Sequence, residues 1–321
     1  MIDPFVILTG LFVGFVVGLT GMGGGALMTP ILVLFFHVEP LAAVSSDIVA
    51  AMIMKPVGGA VHWRHGTVNR RLVAWLMAGS IPSAFLGVLL LKRMEVGPAL
   101  QAHVKTALGI ALLAVITGLI VRPILNRRHT EVTPVVVRPL PTLIIGILGG
   151  LVVGLTSVGS GSLIIIMLLL LYPSLPMSQM VGTDLVQAVP LVASAAIAHI
   201  LFGDFKLGLT ASILIGSLPG VFIGARFSTR APDYVIRPSL CVVLLMSGLK
   251  LIGASNLLVA ILMPIAIGLG TAHVVRASRR ARRDRDRRAA EAAHGGDGAI
   301  IAFPGLGSAP DPLAIEQSGT S

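Results

Sequence analysis

The sequence predicts an all-α integral membrane protein, a polytopic helical bundle of two inverted-topology repeats with about 8–11 transmembrane segments, some of them short broken helices. Three observations predict it. The 321 residues are 55% hydrophobic and only 12% charged, with a mean hydropathy of +0.93. Apolar runs recur at about 20 residues, the length that about 30 Å of hydrocarbon requires of a helix. The two halves of the chain also resemble each other.

Eleven apolar segments follow one another along the chain. A soluble domain of this length would need more charge to cover its surface, so lipid is the expected solvent for most of them. The first segment follows Met1 to Pro4, which lacks a basic region and a cleavage site, so we expect this helix to be retained. The segments are 5–22, 25–38, 41–62, 71–91, 102–121, 140–158, 161–172, 178–202, 207–225, 236–253 and 256–275.

An internal repeat divides the chain. The glycines at 14, 18, 23 and 25 have glycine partners 136 residues later, at 150, 154, 159 and 161. After one inserted residue the offset becomes 137, and it pairs Asp47 with Asp184, His62 with His199 and Pro82 with Pro219. Five segments precede the second copy, and this odd number makes the second copy enter the bilayer upside down.

The repeat sets the domain boundaries. We expect a first membrane repeat at 1–121, a cytoplasmic linker at 122–139, a second membrane repeat with an extra C-terminal helix at 140–275, and a basic, largely disordered cytosolic tail at 276–321. The tail has too few large apolar residues to form a core. Its arginines favour orientation and attraction to anionic lipid over nucleic-acid binding.

The basic residues predict the orientation. If the eleven segments alternate, loops on one side of the membrane hold eighteen Lys and Arg and loops on the other side hold four. Because cytoplasmic loops carry the excess of positive charge, the N-terminus is expected outside and the C-terminus in the cytoplasm of a multi-pass inner-membrane protein.

Two glycine-rich turns are the first candidate site. Each turn precedes a short apolar segment, 25–38 or 161–172, and whether these two segments cross the membrane fully is left open. A helix that begins after such a turn offers unpaired N–H groups and a positive dipole end, which can hold an anion. The alternative is that the glycines only allow tight turns or close helix crossings. The candidate substrate-binding residues are Thr20, Gly23, Gly24, Gly25, Lys55, Thr156, Gly159, Ser160 and Gly161.

Paired ionisable residues are the second candidate site. Asp47 and Asp184 are acids within membrane segments, and such acids are functional candidates by default. Helix capping near the interface is the alternative. Lys55 lies about 80° from Asp47 on the helical wheel and has Val192 as its counterpart, so it could attract an anion or neutralise Asp47. His62 and His199 are the remaining candidates for ion or proton coupling, although imidazoles near helix ends more often bind water or backbone.

Other chemistries find little support. The single cysteine, Cys241, lies in an apolar run, and the histidines lack the spacing of a metal site. Ser160 lies outside any known nucleophile motif, and no P-loop or HExxH is present. The glycine turns lack the βαβ context of a dinucleotide fingerprint. We therefore expect no metal, no cofactor, no nucleic-acid partner and no enzymatic activity.

A family resemblance rests on these residues. The Gly-Leu-Thr-Gly-Met-Gly-Gly-Gly run at 18–25, its degenerate copy at 154–161, and the stretch 46–68 with Asp47, Lys55, His62 and a Gly-Thr-Val end resemble the TauE/SafE family of sulfite exporter-like permeases. The likeness extends over approximately 5–275, with serines at 157 and 160 in place of glycines. It implies ATP-independent movement, usually outward, of sulfite, sulfonates or related organic and sulfur anions.

The expected function is secondary transport of a small anion by alternating access, with protons as the candidate coupling ion. A passive anion channel would use the same donors and would be told apart by uncoupled, much faster flux. A membrane-embedded enzyme would need a nucleophile or paired catalytic groups that this sequence does not provide. The partners are the anion and the lipid bilayer, and the sequence leaves a homo-oligomer open.

Overall fold

The computed structural model describes residues 2–20, 24–64, 68–94, 97–126, 136–159, 161, 163–227, 233–268, 270, 271 and 274–276. Within these ranges the chain is all-helical, and no strand occurs. The helices are α1 (Pro4–Thr20), α2 (Gly25–Leu34), α3 (Pro40–Arg64), α4 (Arg70–Arg93), α5 (Pro98–Asn126), α6 (Pro139–Thr156), α7 (Leu163–Leu171), α8 (Met177–Phe202), α9 (Leu207–Phe227), α10 (Asp233–Leu251) and α11 (Asn256–Gly268).

These helices coincide with the eleven predicted segments, and the all-α membrane class is confirmed. In the part of the chain that is described, five helices are long and apolar enough to cross a bilayer, and shorter apolar helices accompany them. Only helices and closed barrels satisfy their backbone groups internally in lipid, which is why apolar runs fold this way. α5 is longer than its predicted segment because hydropathy marks the hydrocarbon part alone. Residues 127–135 of the predicted linker and the tail beyond 276 lie outside the described ranges.

The helices α2 and α7 are too short to cross. At 1.5 Å per residue, the ten residues of α2 and the nine of α7 span roughly 15 Å each, about half of the hydrocarbon. α7 returns along α6, because the Tyr172 hydroxyl at its end lies 2.6 Å from Thr142 Oγ1 near the start of α6. The backbone N–H of Arg138 donates to the same hydroxyl, at 2.8 Å. The turn between α6 and α7 therefore lies inside the bundle.

Large apolar side chains cover the outside of the bundle. Phe5 (74% exposed), Phe12 (65%) and Phe222 (69%) point outward, together with many leucines and isoleucines. Small and polar side chains are instead buried, including serines, threonines and two acids on α3 and α8. This distribution is the reverse of a soluble protein and fits a chain whose solvent is lipid.

Glycines allow two pairs of helices to touch through their backbones. α1 packs along α9, and α6 packs along α4. A methyl carbon on Gly14 of α1 would lie 2.8 Å from Ser217 Cα of α9, and one on Gly150 of α6 would lie 2.7 Å from Ser80 Cα of α4. Such small-residue crossings provide van der Waals contact that apolar association alone cannot supply in lipid.

The contacts between helix ends define two opposite faces of the bundle. On one face, Leu41 N at the start of α3 donates to Gln101 Oε1 near the start of α5, at 3.1 Å. Lys92 at the end of α4 lies 4.2 Å from the ring of Phe202 at the end of α8. On the other face, Asn69 N before α4 donates to Thr183 Oγ1 in the second turn of α8, at 3.1 Å.

We expect Gly14→Ala to lower the apparent melting temperature of the detergent-purified protein by several degrees. The added methyl group must push α1 away from α9, and overpacking of this kind costs about 1–3 kcal/mol. The measurement is thermal unfolding monitored by size-exclusion chromatography. Gly268→Ala is the control, because a methyl group there meets nothing within 4 Å. Equal melting temperatures for the two variants would contradict the close crossing.

Candidate functional site

The carboxylate of Asp47 is the centre of the buried polar region. Asp47 lies in the second turn of α3 and is 3% exposed. Its Oδ2 accepts hydrogen bonds from Thr29 Oγ1 and from Ser157 Oγ, each at 2.7 Å. Distances of this size are typical of hydroxyl groups bound to a charged oxygen. Because Thr29 belongs to α2 and Ser157 follows α6, one carboxylate oxygen joins elements from both halves of the chain.

The two glycine-rich turns touch at the same place. Gly25, the first residue of α2, lies so close to Ser157 that a methyl carbon on it would be 2.7 Å from Ser157 Oγ. Ser157 has a φ of 61° and terminates α6 in the left-handed conformation. A larger residue at position 25 would therefore separate the start of α2 from the hydroxyl that binds Asp47.

The remaining glycines of the turns differ in their backbone conformations. Gly159 (φ 121°) and Gly161 (φ 100°) adopt backbone conformations that other residues rarely occupy. Gly24 has an ordinary helical conformation, and its carbonyl accepts from Leu27 N and Met28 N in the first turn of α2. The tight-turn alternative thus accounts for Gly159 and Gly161, and the close-approach alternative accounts for Gly25. A role of their N–H groups toward an anion stays a prediction.

Asp184 lies in a second polar network on α8. It is fully buried, and its Oδ1 accepts from Gln187 Nε2 at 3.1 Å. Ser80 Oγ on α4 donates to Gln187 Oε1 at 3.2 Å. This network joins α8 to α4, whereas the hydrogen bonds of Asp47 join α3 to α2 and to the end of α6. Asp184 accepts from an amide, whereas Asp47 accepts from two hydroxyls.

Lys55 is the cation of the site. It is partly buried two turns after Asp47 on α3, and its ammonium group is attracted by Asp184 and, more weakly, by Asp47. Its repeat counterpart, Val192, is buried and apolar. With all three groups ionised, Asp47, Asp184 and Lys55 together carry one net negative charge. The asymmetry means that the first half of the chain alone supplies this cation.

His199 holds three helices together. Its Nε2 donates to the carbonyl of Gly154 on α6 at 2.8 Å, and its Nδ1 lies 2.8 Å from Ser45 Oγ on α3. The sequence placed this residue near the end of α8, where an interfacial imidazole was expected, but the side chain is fully buried. Two hydrogen bonds within the bundle explain how an imidazole is accommodated there.

The residues before the two acids bind the opposite half of the chain. Ser46 Oγ accepts from Lys206 N at 3.4 Å, and Thr183 Oγ1 accepts from Asn69 N at 3.1 Å. Helix capping is the alternative interpretation of the polar residues at these positions. Instead, both hydroxyls satisfy backbone groups at the starts of α9 and α4, and the hydrogen bonds of Asp47 come from side chains.

Apart from His199 and the glycines at 24, 159 and 161, the predicted site residues fall into three groups. Gly25 and Asp47 meet at Ser157, and Lys55 is attracted by both Asp184 and Asp47. The Thr156 hydroxyl is engaged within α6, because it donates to Val152 O at 2.6 Å. Outside the described part of the chain fall Gly23, Ser160, and the side chains of Thr20 and His62.

Sequence reasoning missed Thr29, Ser80 and Gln187 as site residues. A signal was available for two of them, because a threonine within a short apolar segment and a glutamine three residues after an intramembrane acid both introduce polar groups into lipid. No group of three metal-binding side chains occurs within the described ranges. The candidate site therefore consists of carboxylates, hydroxyls, an amide and one ammonium group.

We expect Gly159→Ala to destabilise the protein by about 1–3 kcal/mol through backbone strain. The nearest atom to the added methyl group would be 3.5 Å away, so no steric clash contributes. Gly24→Ala is the matched control, because it adds a methyl group with a nearest contact of 3.8 Å in an ordinary helical conformation. Thermal unfolding of the purified variants is the measurement. A control that loses as much stability as Gly159→Ala would show that strain is not the cause.

Comparisons with known proteins identify related membrane proteins. A family model described as Sulfite exporter TauE/SafE matches residues 6–251, which comprise almost all of α1–α10. The chain is 42% identical over 255 residues to the probable membrane transporter protein YjnA of Bacillus subtilis (strain 168), covering 77% of this chain and 98% of that protein. It is 26% identical over 247 residues to the probable membrane transporter protein YdhB of the same organism, covering 77% and 99%. No solved structure matches the chain. The family match ends before α11, so the last apolar helix lies outside it.

Proposed function

The chain belongs to the TauE/SafE sulfite exporter family of membrane transporters, and from this membership we propose that it is a secondary transporter, moving small anions outward without ATP. The substrates are sulfite, sulfonates or related organic and sulfur anions. The observation that carries the proposal is a pair of buried acids, Asp47 at the contact between the two broken-helix turns and Asp184 on α8, with the partly buried Lys55 attracted to both. Ionisable groups in such a position are expensive to bury and mark ion or substrate paths.

Alternating access between two inverted repeats is the proposed mechanism. Corresponding contacts support it: α1 packs on α9 as α6 packs on α4. The hydrogen bonds of Ser46 with Lys206 and of Thr183 with Asn69 also correspond under the 137-residue offset. Each bond connects one proposed repeat to the other, and the two lie toward opposite faces. One repeat rocks against the other, and the substrate reaches the Asp47 region from one face at a time.

Asp47 and Asp184 are the proposed proton-coupling groups, with His62 and His199 as the further candidates. Among the described residues, Lys55 is the charged group that interacts with Asp47, and Lys55 is attracted by Asp184 as well. A buried carboxylate is less costly when it is neutral, so the approach of an anion favours its protonation. His199 is a weaker candidate than the two acids, because both of its ring nitrogens are engaged in hydrogen bonds.

Transport by purified protein in liposomes tests the function. We expect saturable sulfite uptake that responds to an imposed pH gradient. Lys55→Met should reduce uptake at least about tenfold, which corresponds to losing an interaction of about 1.4 kcal/mol. Asp47→Asn should make any remaining flux independent of the pH gradient.

The controls are Asp204→Asn and Lys206→Met. These residues form an ion pair of 3.6 Å on the surface, with 39% and 51% of their side chains exposed, and their loss should leave uptake unchanged. A panel of sulfonates and carboxylates completes the assay. Flux far above transporter turnover without gradient dependence would instead indicate the channel, and absence of flux for every anion would refute the proposed substrate class.

We propose that the face with Asn69, Arg138 and Tyr172 is cytoplasmic and that the N-terminus is outside. Contacts at the described helix ends bring Asn69 to Thr183 and Arg138 to Tyr172. If the segments alternate, eighteen basic residues belong to this face and four to the other. The linker at 122–139 and the tail at 276–321 belong to this face in the proposal. Positive residues determine such orientations because they are retained in the cytoplasm.

Thiol labelling tests this orientation. Cys241→Ser yields a chain without cysteine, into which Lys92→Cys or Arg138→Cys is introduced. A membrane-impermeant maleimide applied to intact cells should label the variant at position 92 and should label the variant at position 138 only after permeabilisation. The parent without cysteine gives the background. The reverse pattern of labelling would contradict the proposed orientation.

A further inference from the structure

Two hydroxyl groups from different halves of the chain converge on one oxygen atom. Thr29 Oγ1 and Ser157 Oγ each lie 2.7 Å from Asp47 Oδ2, and this carboxylate is almost completely buried. We infer that the oxyanion of the transported substrate binds where the Asp47 carboxylate now lies, between the hydroxyls of Thr29 and Ser157. The Asp47 carboxylate then occupies the substrate position while the substrate is absent. The inference rests on the proposal that this protein moves an anion.

Hydrogen-bond capacity makes the carboxylate and the substrate exclude each other. A serine or threonine hydroxyl has one hydrogen to donate. While Asp47 Oδ2 accepts both, neither hydroxyl can donate to a second anion. A substrate oxygen gains these donors only when the Asp47 side chain releases them.

The charges near Asp47 also favour exchange of the carboxylate for the substrate over simultaneous binding of both. Asp47, Asp184 and Lys55 carry one net negative charge when ionised, and Lys55 is drawn to both acids. A further anion beside an ionised Asp47 would meet like charge in a region of low dielectric, where repulsion is strong. The Asp47 carboxylate takes up a proton as it releases the two hydroxyls, so a monovalent oxyanion replaces its charge and the local charge stays unchanged.

The surroundings define the class of ligand. The backbone of Gly25 approaches Ser157 closely, and a single methyl carbon there would already collide with it. The Asp47 carboxylate occupies the position between the two hydroxyls, so a ligand bound there takes the place of one carboxylate group. It fits a monovalent carboxylate or the head of a sulfur oxyanion that presents a single oxygen to both hydroxyls.

Chemical rescue tests the inference. Asp47→Ala removes the carboxylate and leaves both hydroxyls in place. Sodium formate should then raise the apparent melting temperature of the detergent-purified variant by at least about 2 °C relative to sodium chloride of the same concentration. Sodium sulfite should act similarly.

Two variants control for unspecific effects of the salt. In Asp47→Asn the amide fills the space, so formate should give no shift beyond that of chloride. In the double variant Asp47→Ala with Thr29→Val one donor is missing, and the formate shift should be lost. Equal formate shifts in all three variants would overturn the inference.

A second measurement applies if Asp47→Ala cannot be recovered in a folded form even in formate. Thr29→Val in the otherwise intact chain should raise the KM for sulfite uptake at least about fivefold. Thr117→Val is the control, because this exposed hydroxyl only donates to Leu113 O of its own helix. An unchanged KM in Thr29→Val would overturn the inference.

The two proposals fail separately. Formate rescue without transport of any anion would refute the proposed function and support the binding site. Transport without rescue would support the proposed function and overturn this inference.

Discussion

A charged carboxylate inside an apolar bundle has to be compensated by its neighbours, and the arrangement around Asp47 follows from this constraint. Isolated burial of such a group is prohibitively costly, so it requires hydrogen-bond donors or an opposite charge. Asp47 has both, in the hydroxyls of Thr29 and Ser157 and in the nearby ammonium group of Lys55. These partners come from separate helices and from both halves of the chain, so compensation of one charge brings the halves together.

The broken helices are what place the hydroxyls within reach. A continuous helix would keep Ser157 in its own hydrogen-bond ladder, whereas the left-handed conformation at Ser157 and the positive φ of Gly159 end α6 inside the bundle. α2 and α7 then occupy only about half of the membrane thickness, and the start of α2 lies beside Ser157 rather than lipid. The absence of a side chain at Gly25 lets the first turn approach the second.

The polar groups form two related but unequal sets. Asp47 and Asp184 occupy corresponding positions, and the residues before them bind corresponding backbone groups at the starts of α9 and α4. The sets differ in their partners, because Asp184 binds an amide and Asp47 binds two hydroxyls. Lys55 has no charged counterpart in the second half. The two sets thus share one hydrogen-bond pattern, and the departures from it make one half chemically distinct.

The sequence by itself determined the all-α membrane class, the places of eleven helices and the family. These follow from local properties, since a run of about 20 apolar residues in lipid has to be helical and the Gly, Asp, Lys and His pattern is readable along the chain. The pairing of Asp47 with Asp184 was also visible as an internal repeat.

Only the tertiary structure decided which groups touch. That Thr29 and Ser157 bind the same oxygen of Asp47 depends on residues 18 and 110 positions away. It likewise decided that His199 is buried between Ser45 and Gly154, and that Gln187 connects Asp184 to Ser80. The physical reason is that hydrogen bonds between helices depend on how closely and at what register the helices cross. Those crossings are set by glycine contacts from distant parts of the chain, which no local pattern of hydropathy records.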